Sequence, residues 1–492
     1  MPIEQFEFTS ASRRGISLAT AATKPRVDKI VFTGEIFQTD FNAKPTLAGE
    51  VRWFSNLLGY SISLACPHLP QQVLAWEAGG TSVFDGAKFY ALNGETPGVD
   101  NWARLVDAES ITEPAAEYLR SFFRDSLVIG YGMSNVMLKF LNESAIPYVD
   151  FVLHAARFLD DIFYGIRTNV RESYDTLSTF RFPEEMIHLQ GRIHRASLLR
   201  NPVIDIPPDS GLFAAQSGID KALVAGGRFT GIEDYREQIS AFLLRHRYVY
   251  LKPHPYAREG SRLIAFLRSL AGDPDRVRLI RDNAYLLMVQ PNISEVCGIS
   301  SCVLYEAAYF GTPGVHMSPN RLDFGERGDA SFDPWRFVPI YDEFLNPDFW
   351  SQVFACICET APAPDLRLPR KTNRLRNNLH IYWGYGYLDF EVPLRGMGIH
   401  PPTPPPETTS ASASHAEGGR LLRQKNFEEA TNSLAAAVVK EETPQRWNDW
   451  AAARLAVGRR LEAIDGFRLA LRLEPTNVMA LSQLKTLLGK QT

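Results

Sequence analysis

The stretch that decides the fold runs from Ala222 to Pro255. It opens on Ala222-Leu223-Val224-Ala225, turns through Gly226-Gly227-Arg228-Phe229-Thr230-Gly231, continues as the amphipathic segment Ile232 to Arg245, and ends in Tyr248-Val249-Tyr250-Leu251 followed by Lys252-Pro253-His254-Pro255. Two short apolar runs separated by a helical period read as a strand, a helix and a second, parallel strand. The same alternation extends outward from residue 26 to 395: Lys29-Ile30-Val31-Phe32-Thr33, Leu127 to Tyr131, Tyr148 to Leu153 and Gly314 to Met317 are further apolar runs, and Glu259 to Ala271 is a further helical pattern. This predicts an α/β fold in which mostly parallel sheets carry helices on both faces. Roughly 370 residues are too many for one such sheet. Two Rossmann-like halves facing a cleft are therefore expected, residues 26–210 and 211–395, with the break near Pro202 to Ser217 where Pro207-Pro208-Asp209-Ser210-Gly211 interrupts the pattern.

The flanks read differently. Residues 1–25 form an N-terminal tail in which Arg13-Arg14 precedes a short apolar stretch broken by Ser17, Thr20 and Thr23, too interrupted for an export signal. Residues 396–416, with His400-Pro401-Pro402-Thr403-Pro404-Pro405-Pro406 and a Thr/Ser/Ala run, read as a linker. In residues 417–492 the pattern Phe427-Glu428-Glu429-Ala430 with Leu434 and Ala437 recurs as Leu461-Glu462-Ala463 with Phe467 and Ala470, and a last helix runs from Val478 to Leu488. That offset, together with Trp447, Trp450, Gly458 and Pro475, resembles the tetratricopeptide repeat. Such an appendage serves either as a partner-binding surface or as a dimerisation or capping element.

Of 492 residues, 45% are hydrophobic and 22% charged, which excludes wholesale disorder. With 52 basic against 56 acidic residues the net charge is −4, so the chain lacks the basic footprint of a nucleic-acid binder. Five cysteines (Cys66, Cys297, Cys302, Cys356, Cys358), odd in number and without zinc spacing, fit reduced thiols in the cytoplasm. No window approaches the ~20 apolar residues of a spanning helix, leaving peripheral membrane association at most.

Three features carry chemistry. Lys252-Pro253-His254-Pro255 follows a strand directly, so the prolines fix a histidine beside a lysine at the strand's carboxyl end, where α/β folds bind ligands. Gly298-Ile299-Ser300-Ser301-Cys302 places paired hydroxyls at a helix start, either a phosphate site or a plain N-cap. Glu306 lies on that helix within reach of a ribose if the phosphate sits at its start. Finally, Pro147 to Asn169 gathers His154, Arg157, Asp160, Asp161, Arg167 and Asn169 after a buried strand. Arginines there suit a carboxylate-bearing sugar and an acid suits a base, while a solvated helix face explains adjacent aspartates equally well.

Together these motifs resemble the bacterial transferases that use CMP-activated acidic sugars, the sialyltransferases and the Kdo transferases of capsule and lipopolysaccharide assembly, which have the GT-B fold. The segment 147–169 is similar to what precedes the nucleotide domain in retaining β-Kdo transferases. The resemblance implies that Lys252, His254 and Pro255 contact CMP, Ser300 and Ser301 its phosphate and Glu306 its ribose. His154, Arg157, Arg167, Asn169 and Arg228 would meet the sugar or acceptor. In related enzymes an acidic residue of the loop 226–234 is catalytic, implying Kdo transfer by double displacement through an aspartyl adduct. Asp234 is the candidate nucleophile, with Glu233 as the alternative because Ile232-Glu233-Asp234-Tyr235 departs from the usual Glu-Asp-Gly or Glu-Asp-Asp form. Asp160 or Asp161 would be the acceptor base. Both acids of the loop also suit a first helical turn through the dipole alone. Neither metal nor cofactor is expected, since no Asp-x-Asp stands at a strand end. The expected partners are a CMP-sugar donor and a saccharide or lipid-linked glycan acceptor, at the cytoplasmic side of the membrane. The competing readings are a CMP-sialic acid transferase and a non-catalytic GT-B scaffold that presents its repeats.

Overall fold

The computed structural model describes residues 24–40, 45–77, 83–200, 204, 206–216, 220–254, 260–280, 282–318, 322–324, 331–369, 371–383 and 410–488. The tail with Arg13-Arg14, the proline run at 401–406 and Pro255 lie outside them. Two compact units divide the chain, Met1–Leu279 with Met288–Trp383, and Ile280–Leu287 with Gly384–Thr492.

The larger unit holds strands β1 (Lys29–Gly34), β2 (Gln71–Val73), β3 (Ser126–Tyr131), β4 (Tyr148–Leu153), β5 (Tyr164–Thr168), β6 (Ser210–Ala214), β7 (Val224–Ala225), β8 (Arg228–Phe229), β9 (Tyr248–Lys252), β10 (Val277–Leu279), β11 (Ile293–Gly298), β12 (Gly314–His316) and β13 (Val338–Ile340). One sheet has the order β13-β5-β4-β3-β1-β2 and the other β10-β9-β6-β11-β12. The second is parallel throughout, whereas in the first β5 runs antiparallel between β4 and β13. Strands β1, β3 and β6 are buried along almost their whole length, as strands covered on both faces must be, and this is why they read as unbroken apolar runs.

The second half departs from the expected pattern at two points. The anticipated break contains β6, the middle strand of the sheet. Gly211, read as a turn residue, is there because a Cβ would stand 2.6 Å from the His246 ring and 2.7 Å from Phe242, so helix and strand meet too closely for a side chain. Conversely, Ala222 to Ala225 is not a strand of either large sheet. Residues Lys221–Leu223 form a 3-10 turn, and β7 pairs only with β8, Ala225 opposite Arg228. Gly226 and Gly227 both have positive φ, 61° and 71°, the backbone a two-residue hairpin turn requires.

The chain then crosses back. Residues 338–383, expected to close the second half, add β13 to the first sheet and two helices, Pro347–Phe354 and Arg374–Trp383, to its core. Phe349, Trp350, Val353, Leu375 and Leu379 pack there with Phe54, Leu58, Ile62 and Phe151. Each such large side chain, wholly removed from water, contributes about 1.5–3 kcal/mol.

Among the described residues 410–488, the smaller unit contains five helices, Ala411–Arg423, Phe427–Lys440, Pro444–Ala456, Arg460–Leu473 and Val478–Leu488. Helical pairs thus recur with starts at 411 and 444, and at 427 and 460, the spacing read in the sequence. Trp450, Phe467, Ala470 and Leu484 lie in its core, and Gly466 allows Trp450 and Ala451 to within 3 Å of where its Cβ would be. The Ser/Ala run expected to end the linker is instead the first turn of a helix, capped by Ser410 Oγ, which accepts from Ala413 N at 3.1 Å. Among the described residues no helix is long and apolar enough to cross a membrane.

Candidate functional site

In the second sheet β6 comes first, β9 and β10 extend it on one side, and β11 and β12 on the other. The order therefore reverses between β6 and β11, where open α/β sheets form a ligand crevice beyond the carboxyl ends. Gln216 and Ser300 stand at this place. Gln216 Oε1 accepts from Ser300 N at 2.7 Å and its Nε2 donates to Ser300 Oγ at 2.8 Å. Gly298 lets the strand ends close up, for a Cβ would lie 2.6 Å from the Ala214 carbonyl oxygen. The neighbouring β9 delivers Lys252 and His254 to the same edge, both half-buried, with Ala215 N donating to Lys252 O at 2.9 Å. Ser301 is the N-cap of the helix Cys302–Tyr309 through its backbone and makes no side-chain cap bond. The fold thus sets Lys252 and His254 beyond the end of β9 and Ser300 and Ser301 beyond the end of β11, with β6 between them; Gln216, which the sequence did not single out, is what holds Ser300.

Glu306 lies one turn further and is only 2% exposed. Its Oε1 accepts from Arg157 N of the first half at 2.7 Å, and Arg157 Nε donates to His154 O at 2.8 Å. Arg157 and Asp220 both act on Cys302, whose thiol burial pushes up and Arg157 pulls down. This seam joins the two halves beside the helix start.

The rest of the cluster 154–169 serves the fold. His154 is buried between the rings of Phe163 and Phe324, at 4.1 and 4.2 Å, and its Nδ1 accepts from Ala156 N at 3.1 Å. Burial, with Arg157 nearby, lowers its pKa to about 3, so it is neutral. Arg167 pairs with buried Asp150 at 2.8 Å and lies over the Phe337 ring at 4.3 Å. Asn169 accepts from Tyr148 N and donates to Ile146 O, both at 3.0 Å, pinning β4 to the end of β5. Asp161 accepts from Ile162, Leu375 and Arg376 N–H groups, all at 2.8 Å, and so anchors the start of Arg374–Trp383. Burial pushes its carboxyl up while those N–H groups oppose the shift. Asp160 alone is exposed, accepting from Gln190 Nε2 at 3.2 Å.

The acidic loop is a 3-10 turn, Ile232–Tyr235. Asp234 accepts from Gly231 N at 2.7 Å and pairs with Arg228 through both carboxylate oxygens; Arg228 holds the carboxyl below the usual carboxylate range. Glu233 pairs with Arg262 at 2.8 Å.

A further site was not legible. In the first sheet the order reverses between β1 and β3. Glu35 follows β1 directly and is 3% exposed; Ser134 Oγ and Trp102 Nε1 act on its carboxyl as donors, but none of these atoms makes a hydrogen bond of normal length and angle among the described residues. Burial pushes the Glu35 carboxyl up, against Lys221, Ser134, Trp102 and the Phe37 backbone. Lys221 arrives from the second half: its Nζ donates to Gly132 O and, at 3.2 Å, to Met133 O, and stands 3.9 Å from Glu35 Oε2. The only signal in the sequence is an acid directly after an apolar run.

Among the described residues no group of three His, Cys, Asp or Glu side chains is arranged to hold a metal ion. No protein-family model matches the sequence, and no curated protein does. Among solved structures the chain is similar to Thermosulfurimonas dismutans KpsC, a β-Kdo 2,7 transferase, at 10% identity and a TM-score of 0.29, over 66% of this chain and 90% of that one.

Proposed function

We propose that the protein is a GT-B-type glycosyltransferase that moves Kdo from CMP-Kdo to a saccharide or lipid-linked glycan of the O-antigen or capsule kind. The observation that supports this reading is that Lys252 and His254 at the end of β9 and Ser300 and Ser301 at the end of β11 flank β6 at the second sheet's point of reversal, with Arg157 of the first half bonded through its N–H to Glu306 on the helix that Ser301 caps. A cation, an imidazole and a hydroxyl-lined helix start suit a nucleoside monophosphate ester, and an arginine beside them suits the sugar's carboxylate. In the double displacement a carboxylate attacks the anomeric carbon as the bond to CMP breaks, and the acceptor oxygen then displaces the enzyme. Asp234, kept ionised by Arg228, meets the first requirement of a nucleophile. Asp220 is the competing carboxylate because its charge acts on Cys302 at the start of the helix. Of the two acids that the sequence offered as acceptor base, Asp161 is bound to three backbone N–H groups and Asp160 is exposed, bonded to Gln190. The helical pairs after residue 410 are the partner-binding module in this reading.

Incubation of the purified protein with CMP-Kdo and, separately, CMP-Neu5Ac tests the donor by CMP release. Release from CMP-Kdo alone is expected; release from CMP-Neu5Ac alone would make the protein a sialyltransferase, and no CMP binding by calorimetry would leave a scaffold. Intact-mass trapping of a Kdo adduct followed by peptide mapping assigns the nucleophile, and an adduct on Asp220 would remove Asp234 from that role.

A further inference from the structure

We propose that Glu35, with Ser134 and Trp102 around it, is the site in the first half that receives the acceptor hydroxyl, and that its carboxylate takes the acceptor's proton. The inference rests on the donor reading above, and places the base on Glu35 where the sequence suggested Asp160 or Asp161.

Position is the first argument. Glu35 and the turn Gly132–Ser134 follow β1 and β3 at the reversal of the first sheet, the counterpart in that half of the crevice that holds Gln216 and Ser300. The second argument is the state of the polar atoms. A buried polar group is normally hydrogen-bonded; Ser134, Trp102 and the Phe37 N–H all act on the Glu35 carboxyl as donors, yet neither Glu35 oxygen, nor the Ser134 hydroxyl, nor the Trp102 indole nitrogen makes a hydrogen bond of normal length and angle among the described residues. Two acceptor oxygens beside two donors can take a hydroxyl group at once as donor and as acceptor. A buried polar group left wholly unmet costs of order 1–3 kcal/mol, and a ligand hydroxyl that completes these loose contacts would recover part of that cost.

Lys221 is the third argument. Its side chain is 34% exposed and its Nζ stands 3.9 Å from Glu35 Oε2, so a cation in contact with solvent borders the buried carboxyl. The groups that act on Glu35 are Lys221, Ser134, Trp102 and the Phe37 backbone, with the Tyr90 phenol, itself bonded to Phe37 O at 2.7 Å, on the far side. Burial raises the carboxyl and the ammonium lowers it again, which brings a base toward the working pH. In the transfer step the acceptor O–H proton passes to Glu35 and the oxygen bonds to the anomeric carbon. The ester bond to the enzyme's aspartate breaks, its electron pair returning to the carboxylate, and Glu35 then yields its proton to water.

The test uses the full chain with CMP-Kdo and no saccharide, so that water is the acceptor. Glu35→Gln is expected to keep CMP affinity and the first-turnover burst of CMP, while steady-state hydrolysis falls about 100-fold or more and the acid limb of its pH profile disappears. Glu35→Asp should restore part of the rate, and Lys221→Met should move the acid limb to higher pH. Wild-type rate with an intact acid limb in Glu35→Gln overturns the proposal. So does joint loss of CMP binding, burst and melting temperature, which marks Glu35 as structural. Absence of CMP release by the wild type is a separate failure, that of the donor reading, and takes the acceptor step with it.

Discussion

The two sheets reverse their order at two places, and the residues there are of opposite kinds. Around the second reversal the groups are partly open and come in runs, Lys252-Pro253-His254 after β9 and Ser300-Ser301 after β11, with Ser300 held by Gln216 after β6. Beyond β1 and β3 there is one buried acid, with neighbours drawn from 60 to nearly 200 residues away in the chain, Trp102, Ser134 and Lys221. A site that recognises a charged nucleotide needs several donors on adjacent backbone, so it leaves a motif. A single proton acceptor needs only one side chain in the right place, and its meaning appears only when the strands around it are assembled.

The largest effect that tests this contrast is at His254. His254→Ala should weaken CMP binding by about 10–100-fold, the range expected for one hydrogen bond to a charged group, with melting temperature unchanged because the residue is only half-buried. Calorimetry with CMP reads it directly. If Glu35→Gln weakens CMP to the same degree, the two places are one site and the contrast breaks.

A second histidine sharpens it from the other side. His154 is 4% exposed and its pKa is lowered to about 3. A depressed histidine pKa means the unfolded chain binds the proton first, at its ordinary value near 6.5, so stability is full above that pH and is lost as pH falls from there toward 3. At pH 5 the loss is about 2 kcal/mol. Glu35 has the reverse sign: with a raised pKa its contribution is full below the ordinary glutamate value and is lost as pH rises through the folded one. Urea titration from pH 7.5 to 5 should show the acid loss in the wild type and not in His154→Phe, while CMP affinity stays the same in both. A change in CMP affinity would return His154 to the binding site.

How much was legible follows the same division. The strand ends carrying Lys252, His254 and Ser300 could be read because β9 is an uninterrupted apolar run and prolines mark its end. Strand β6 was hidden because Gly211 serves helix packing and a glycine after two prolines looks like a turn. Ala222 to Ala225 looked like a strand because four small apolar residues fit one, and only the pair of positive φ values at Gly226 and Gly227 shows a hairpin. Arg167, Asn169 and Asp161 have the composition of a sugar site, yet each ties one strand or helix end to another. Composition does not reveal whether a polar side chain faces the solvent or a neighbouring backbone group. The return of residues 338–383 to the first sheet is a pairing of distant segments, β13 with β5, to which local pattern is blind.

Gln216 yields the next smaller effect. Gln216→Leu keeps the side chain's bulk but removes both bonds to Ser300. A lost neutral hydrogen bond at a partly buried place costs about 1 kcal/mol, so CMP affinity should fall about fivefold while first-half properties, the pH dependence of stability above all, stay as they were. No change in CMP affinity would mean that Ser300 is not at the phosphate.

The smallest expected effect is none, on adding EDTA. In metal-dependent transferases a divalent ion offsets the charge of the leaving phosphate. Here Arg157 acts on Cys302 at the helix start, Lys252 ends β9 in the same sheet, and the helix end itself adds partial positive charge. One phosphodiester charge and one sugar carboxylate amount to two negative charges, which two side chains and a helix start can match. CMP release from CMP-Kdo should therefore run at the same rate with EDTA as without it. Dependence on Mg²⁺ would show that these cations do not meet the donor, and the assignment of the second crevice to a CMP-sugar would have to be given up.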